Sequence, residues 1–196
     1  MKTDYIESID RAIVHAVNGL NTPFLDEFMW TISGKITWVP FYILLIFLYT
    51  RKTNLIKGSV FFLCAILSVA FSDQISVNLF KEVFERYRPS HNALLTDKLH
   101  FYMFENGDVY KGGTYGFVSS HAANFFAIVA FAYFALKEYY LKLLIPFLFC
   151  AILVVFSRIY LGVHYLSDVF VGALLGILIA AIIYRFLFIV IIRKVK

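Results

Sequence analysis

The sequence predicts an all-α integral-membrane fold: a bundle of about five transmembrane helices preceded by short N-terminal amphipathic helices lying in the interface. Three observations lead there. The 196 residues are 61% hydrophobic and only 16% charged, with a mean hydropathy of +0.76, whereas soluble domains are nearer half apolar and a quarter charged. The apolar residues fall in long runs, and the charged residues gather mostly in the connectors between them. A single membrane domain over residues 1–196 follows. The net charge of +5 is then a matter of topology, and no nucleic-acid partner is expected. Cys64 and Cys150 both sit in apolar runs, a placement that offers neither a disulfide framework nor a zinc site.

Residues 1–36 read as the amphipathic interfacial segment. Ile6, Ile9, Ile13, Ala16 and Val17 recur at helical spacing, with Asp4, Glu7, Asp10 and Arg11 between them. Those acids interrupt any signal-peptide core. Asn21-Thr22-Pro23 is a break, and Phe24 to Ser33 forms a second amphipathic piece with Trp30 as an interfacial anchor. The first span ends at Tyr49, its start left open by Gly34 and Lys35. Gly58 to Phe80, Ser119 to Leu136, Leu143 to Phe156 and Val169 to Tyr184 give the other four. Gly172 and Gly176 in the last form a small-xxx-small seam, read as packing within one monomer; the oligomeric state is not legible.

Five spans put the connectors on alternate sides. Arg51, Lys52, Lys57, Lys137, Lys142, Arg193, Lys194 and Lys196 share one side, opposed there by Glu138. Positive charge near span ends marks the cytoplasmic face. The expectation is a multi-pass protein of the inner (cytoplasmic) membrane with a cytoplasmic C-terminus. The N-terminus, residues 81–118 and residues 157–168 then face the periplasm or outside.

That outward side carries three clusters. Gln74, Asn78, Lys81, Glu85 and Arg88 fall on a common helical stripe that Pro89 ends. Lys81 and Arg88 are about two turns apart and suit a multiply charged anion, although ordinary snorkelling also puts cations there. Val118-Ser119-Ser120-His121 opens the third span, where unpaired N–H groups make an anion site. One serine serves as a cap; neither capping nor apolar packing accounts for His121. The third cluster holds Arg158, His164 and Asp168, with Gly162 turning the backbone between them. His164 and Asp168, four residues apart, are expected on one helical face, where a carboxylate orients an imidazole. Independent snorkelling does not predict two histidines, three cations and a carboxylate meeting at four helix ends. Together they make a phosphate cradle, an oriented nucleophile and a second proton carrier, the parts of phosphoryl transfer through a covalent intermediate.

These residues resemble the three-part signature of the type 2 phosphatidic acid phosphatase superfamily, which includes glucose-6-phosphatase and vanadium haloperoxidases. Lys81, six residues, Arg88-Pro89 matches the first part, and Ser157-Arg158, five residues, His164, three residues, Asp168 the third. The middle part usually reads Pro-Ser-Gly-His; here Val118 and Ser120 replace the proline and glycine. The signature covers residues 81–168. The resemblance implies that His164 attacks phosphorus with Asp168 orienting it, and that His121 protonates the leaving oxygen and then activates water. It implies that Lys81, Arg88, Ser119, Ser120 and Arg158 bind the phosphate, with no metal or other cofactor needed.

The membrane setting favours a lipid phosphate, with its tail in the bilayer, over a soluble sugar phosphate. The expected substrate is a polyprenyl diphosphate such as undecaprenyl diphosphate. Lipid A, phosphatidylglycerol phosphate and phosphatidic acid are the alternatives. Residues 90–117, with His91, His100 and a flexible Gly112-Gly113, are expected to discriminate among headgroups, the two histidines being ordinary solvated loop residues. A haloperoxidase is disfavoured by the hydropathy. A non-enzymatic lipid-phosphate carrier would keep the cradle without needing the His164–Asp168 pair.

Overall fold

The structure, a computed structural model, describes residues 2–195. Lys196 and the side chains of residues 2–4, Asp4 among them, lie outside the described residues. The architecture is helical: α1 (Lys2–Asn18), α2 (Pro23–Ser33), α3 (Ile36–Lys52), α4 (Leu55–Phe84), α5 (Ser120–Leu136), α6 (Leu141–Tyr160) and α7 (Leu166–Ile192). Among the described residues the β contacts are two isolated bridges, Tyr87 to Tyr115 and Met103 to Val109, in the α4–α5 connector. Helices α4, α6 and α7 are long and apolar enough to cross a membrane, and α2 with α3, bent by 69°, makes a fourth candidate. Helix α5 is apolar but shorter, at 17 residues.

Local chemistry sets the helix starts. Thr22 caps α2 by accepting from the Leu25 amide at 3.2 Å, with Pro23 in the first turn, where a missing N–H costs nothing. Asn54 caps α4 through the Lys57 amide at 2.9 Å. Ser119 caps α5 through the Ala122 amide at 3.4 Å. Helix α5 is the central post, its buried face rich in small residues (Ala122, Ala123, Ala127, Ala130, Ala132). Helix α7 packs against it through Gly172 and Gly176. A Cβ on Gly172 would sit 2.6 Å from the Ser119 carbonyl oxygen, and one on Gly176 would collide with the Ala123 carbonyl. The glycine seam therefore packs within the monomer.

Three sequence expectations change. The polar stripe does not continue helically to Arg88. A π-helical turn over Ser76–Lys81 shifts the register, Glu85 adopts a left-handed conformation (φ 45°), and Arg88 is extended. Helix α1 is not simply an interfacial float. Asp10, Val14 and Asn18 are buried, and Asn18 Nδ2 donates to the Tyr160 carbonyl at 2.8 Å and the His100 carbonyl at 2.7 Å. Trp30 stacks on Tyr102 at 4.6 Å and meets Tyr110 edge-on at 4.9 Å, so it clamps the α4–α5 connector onto α2.

Candidate active site

The end of α4, the start of α5, the end of α6 and the start of α7 meet at one end of the bundle. Lys81 Nζ donates to Ser120 Oγ at 2.5 Å, and Ser120 Oγ lies 2.7 Å from Ser76 Oγ. The serine that replaces the usual glycine thus fixes a lysine. Ser119 is fully buried, and its amide donates to the Asp168 carbonyl at 3.0 Å, joining α5 to α7. Arg158 is buried; its Nη2 donates to the Tyr110 hydroxyl at 2.9 Å and its Nη1 to Ser33. Arg158 Nε has no protein partner.

Arg88 reaches the same pocket from the connector. Its amide donates to the Thr114 carbonyl and its Nε to the Tyr115 carbonyl, both at 3.1 Å. Gly112 is not a flexible hinge. At φ +66° it gives the Arg88 guanidinium room, and a Cβ there would fall 2.7 Å from Nη1. Burial, and then the neighbouring charge of Arg158, lowers the Arg88 pKa from its ordinary value. The Arg158 contribution places two guanidinium groups in one pocket.

His164 and Asp168 pair, but not as one face of a helix. Gly162 turns the chain at φ +67°, His164 sits in the loop, and α7 begins at Leu166. Asp168 folds back to accept the Tyr165 amide through Oδ2 at 3.0 Å, closing the first turn. The same Oδ2 lies 3.5 Å from His164 Nδ1, the outer limit of a hydrogen bond, and Nδ1 has no other partner. Resting sites are often this loose and tighten with substrate. Burial first, then Arg88, Arg158 and Lys81, holds the His164 pKa well below the ordinary histidine range, so the imidazole is neutral at neutral pH. His121 lies within electrostatic reach of Arg158, His164, Lys35 and Arg88. All eight sequence-predicted site residues therefore converge.

Several residues here were not singled out from the sequence as part of the site. Arg86 bridges two buried carboxylates, donating through Nη1 to Asp168 Oδ1 at 2.7 Å and through Nη2 to Asp10 Oδ2 at 2.8 Å. Its guanidinium lies 4.3 Å from the Tyr165 ring centre. Asp10 also accepts from the Ser167 amide at 3.0 Å and from the Ser167 hydroxyl. The signal available was the stripe Asp10, Val14, Asn18 at four-residue spacing, which puts two polar side chains on one helical face with a valine. His100 binds Asp26 at 2.8 Å and ties the connector to α2, rather than standing free in solvent. His91 stays beside Ser90 near Arg88, its pKa lowered by burial and then by Arg88 and Lys111.

A cavity of about 650 Å³ opens from this cluster between α3, α4 and α5. Ser120, His121 and Lys35 stand at its polar end, and Tyr42, Leu45, Phe61, Ala65, Val69 and Phe125 are among its walls. Phe62 and Ile66 also line it and are 44% and 47% exposed, so the groove reaches the outer, lipid-facing side of the bundle.

The family model described as PAP2 superfamily matches residues 61–191. The chain is 34% identical over 184 residues to the lipid A 4'-phosphatase of Porphyromonas gingivalis, covering 93% of this chain and 74% of that protein. It is 28% identical over 202 residues to phosphatidylglycerophosphatase B of Bacillus subtilis, covering 94% and 86%. Among solved structures, the transmembrane PAP2-type phosphatidylglycerolphosphate phosphatase of Bacillus subtilis superposes with a TM-score of 0.68 at 24% identity, over 98% of this chain and 88% of that one. Aquifex aeolicus LpxE gives 0.62 at 22% identity, over 91% and 96%. At those identities the two structures speak for the shared fold. The family match spans more than half of the sequence and the relatives are named lipid phosphatases; this chain belongs to the PAP2 superfamily and is an integral-membrane lipid phosphatase.

Proposed function

We propose that the chain hydrolyses a phosphate monoester of a lipid A-type substrate through a phosphohistidine on His164. One observation carries the reading: a neutral, buried imidazole beside Asp168 lies close to Lys81, Arg88 and Arg158, and Ser120 and His121 of the same cluster line the polar end of an apolar groove. His164 Nε2 bonds to phosphorus as the P–O bond to the lipid breaks, and His121, protonated when the anionic phosphate sits beside it, gives that proton to the departing oxygen. His121 then takes a proton from water, whose oxygen attacks phosphorus while the P–N bond breaks and inorganic phosphate leaves. Lys81, Arg88, Ser119, Ser120 and Arg158 hold the equatorial oxygens, and the fixed charge of the lysine and two arginines stabilises the transition state. These residues supply the positive charge themselves, and the mechanism draws on no metal ion. The site faces away from the cytoplasm, a reading supported by the cations at the opposite connectors.

Two relatives named as lipid A 4'-phosphatases support that substrate class, ahead of the polyprenyl diphosphate expected from sequence alone. The test is phosphate release by purified protein, with EDTA present, from lipid A, phosphatidylglycerol phosphate, phosphatidic acid and undecaprenyl diphosphate. Fastest release from lipid A is expected. A preference for undecaprenyl diphosphate would restore the earlier reading of the substrate. Activity abolished by chelation would overturn the mechanism. Wild-type protein should also carry a base-stable, acid-labile phosphoryl label that His164→Ala lacks. A C-terminal reporter active outside the cytoplasm would reverse the orientation.

A further inference from the structure

The carboxylate of the groove has no part in the chemistry above. Asp73 lies in α4 on the groove wall and Asn124 faces it from α5. Carboxylates at membrane depth are costly and mark function by default. Asn124 Nδ2 donates to Asp73 Oδ1 at 2.9 Å, which fixes that carboxylate in place. Among the described residues the second Asp73 oxygen accepts no hydrogen bond; Lys81 is close enough to feel its charge but donates to Ser120 instead. Asp73 thus presents an unused acceptor to an apolar groove, beside a second unused acceptor on Asn124 Oδ1.

We infer that Asp73, held by Asn124, is a binding subsite for a hydrogen-bond donor, an amide N–H or hydroxyl, in the backbone of the lipid phosphate just below its head. The depth fits. Asn124 is one helical turn, about 6 Å, inward from Ser120 at the phosphate end. An amide nitrogen four bonds from phosphorus lies roughly 5 Å from it. A lipid with ester linkages alone offers only carbonyl acceptors there, which leaves the free carboxylate oxygen without a donor from the lipid. A site built to hydrogen-bond a donor rejects an analogue lacking it strongly. The subsite rests on the lipid phosphatase reading above and adds what that lipid must carry.

The probes are ceramide 1-phosphate, which has an amide and a hydroxyl, and phosphatidic acid of matched chain length, which has neither. Both are presented in mixed micelles to wild type, Asp73→Leu and Asp73→Asn. Wild type should favour ceramide 1-phosphate by about tenfold or more in kcat/KM. Asp73→Leu should erase that preference by raising KM for ceramide 1-phosphate alone, and Asp73→Asn, which keeps an acceptor, should retain part of it. An unchanged ratio in Asp73→Leu, or an equal loss on both lipids, overturns the subsite; equal loss assigns Asp73 to supporting the phosphate pocket. Binding of the same two lipids to His164→Ala, and to His164→Ala with Asp73→Leu, reads the preference without turnover. Failure of hydrolysis therefore bears on the phosphatase mechanism and failure of selectivity on the subsite.

Discussion

Replacing Asp10 with alanine tests whether an N-terminal helix far from the signature motifs governs His164, the proposed nucleophile. Asp10 and Asp168 hold the two ends of the Arg86 guanidinium, at 2.8 and 2.7 Å. This division leaves Asp168 Oδ2 for the Tyr165 amide and His164. Without Asp10, Arg86 can turn both arms onto Asp168, a bidentate geometry that guanidinium groups favour, and draw Oδ2 away from His164. Two costs follow. Removing one partner of a buried ion pair costs up to about 3–5 kcal/mol. That figure shrinks here, because Arg86 keeps Asp168 and its side chain is 22% exposed. The Ser167 amide also loses its acceptor, about 1–3 kcal/mol. A net destabilisation of about 2–3 kcal/mol is expected. Misplacing a catalytic group by about 1 Å costs on the order of 100-fold, so kcat should fall by about 10- to 100-fold while KM, set by the separate cation cradle, stays within about twofold. The assays are steady-state phosphate release and a thermal melt in detergent. An unchanged kcat in folded protein, or a raised KM with kcat intact, would refute the reasoning.

Other outcomes follow from the same geometry. His164→Ala should reduce phosphate release to background, and Asp168→Asn should lower kcat by about 100-fold or more, both measured on folded protein. Ser120→Gly frees Lys81 from its 2.5 Å contact; KM should rise several-fold with a smaller change in kcat, read from saturation curves. Gly176→Leu drives a side chain into the Ala123 backbone and should cost at least about 1–3 kcal/mol, seen as a lower melting temperature in detergent. Because the His164 pKa is depressed in the folded protein, its neutral form and the associated stability are present above about pH 6.5, the ordinary histidine value, and are lost as pH falls toward the depressed value. Single-turnover phosphoryl transfer should accordingly show no nucleophile protonation near pH 6.5; an acid limb centred there and assigned to His164 would contradict the burial.

The candidate cluster was legible because charge inside a hydrophobic chain is rare, so each ionisable residue near a span end carried information. Spacing located Lys81, Arg88, His121, Arg158, His164 and Asp168 without coordinates. What spacing did not convey was how the pieces reach one another. The π-helical turn at Ser76–Lys81 has no residue signature, so the stripe seemed to run on to Arg88. Asp10 and Asn18 belong to an amphipathic helix whose polar side ordinarily meets water; their burial depends on partners 76 to 157 residues away. Arg86 lay inside the first motif yet outside its fixed positions, and only its two carboxylates reveal its work. Asp73 precedes Gln74, the first residue of that stripe, and its pairing with Asn124 on α5 required the packed helices.

The flank of the groove at Phe62 and Ile66 bears on how turnover must be measured. A substrate that enters sideways encounters the protein by two-dimensional diffusion within a leaflet. Its effective concentration is then a mole fraction in the film, and diluting it with inert detergent or lipid at constant bulk amount slows the reaction. Rates quoted per litre of suspension would scatter between preparations, whereas rates expressed against surface composition would fall on one curve.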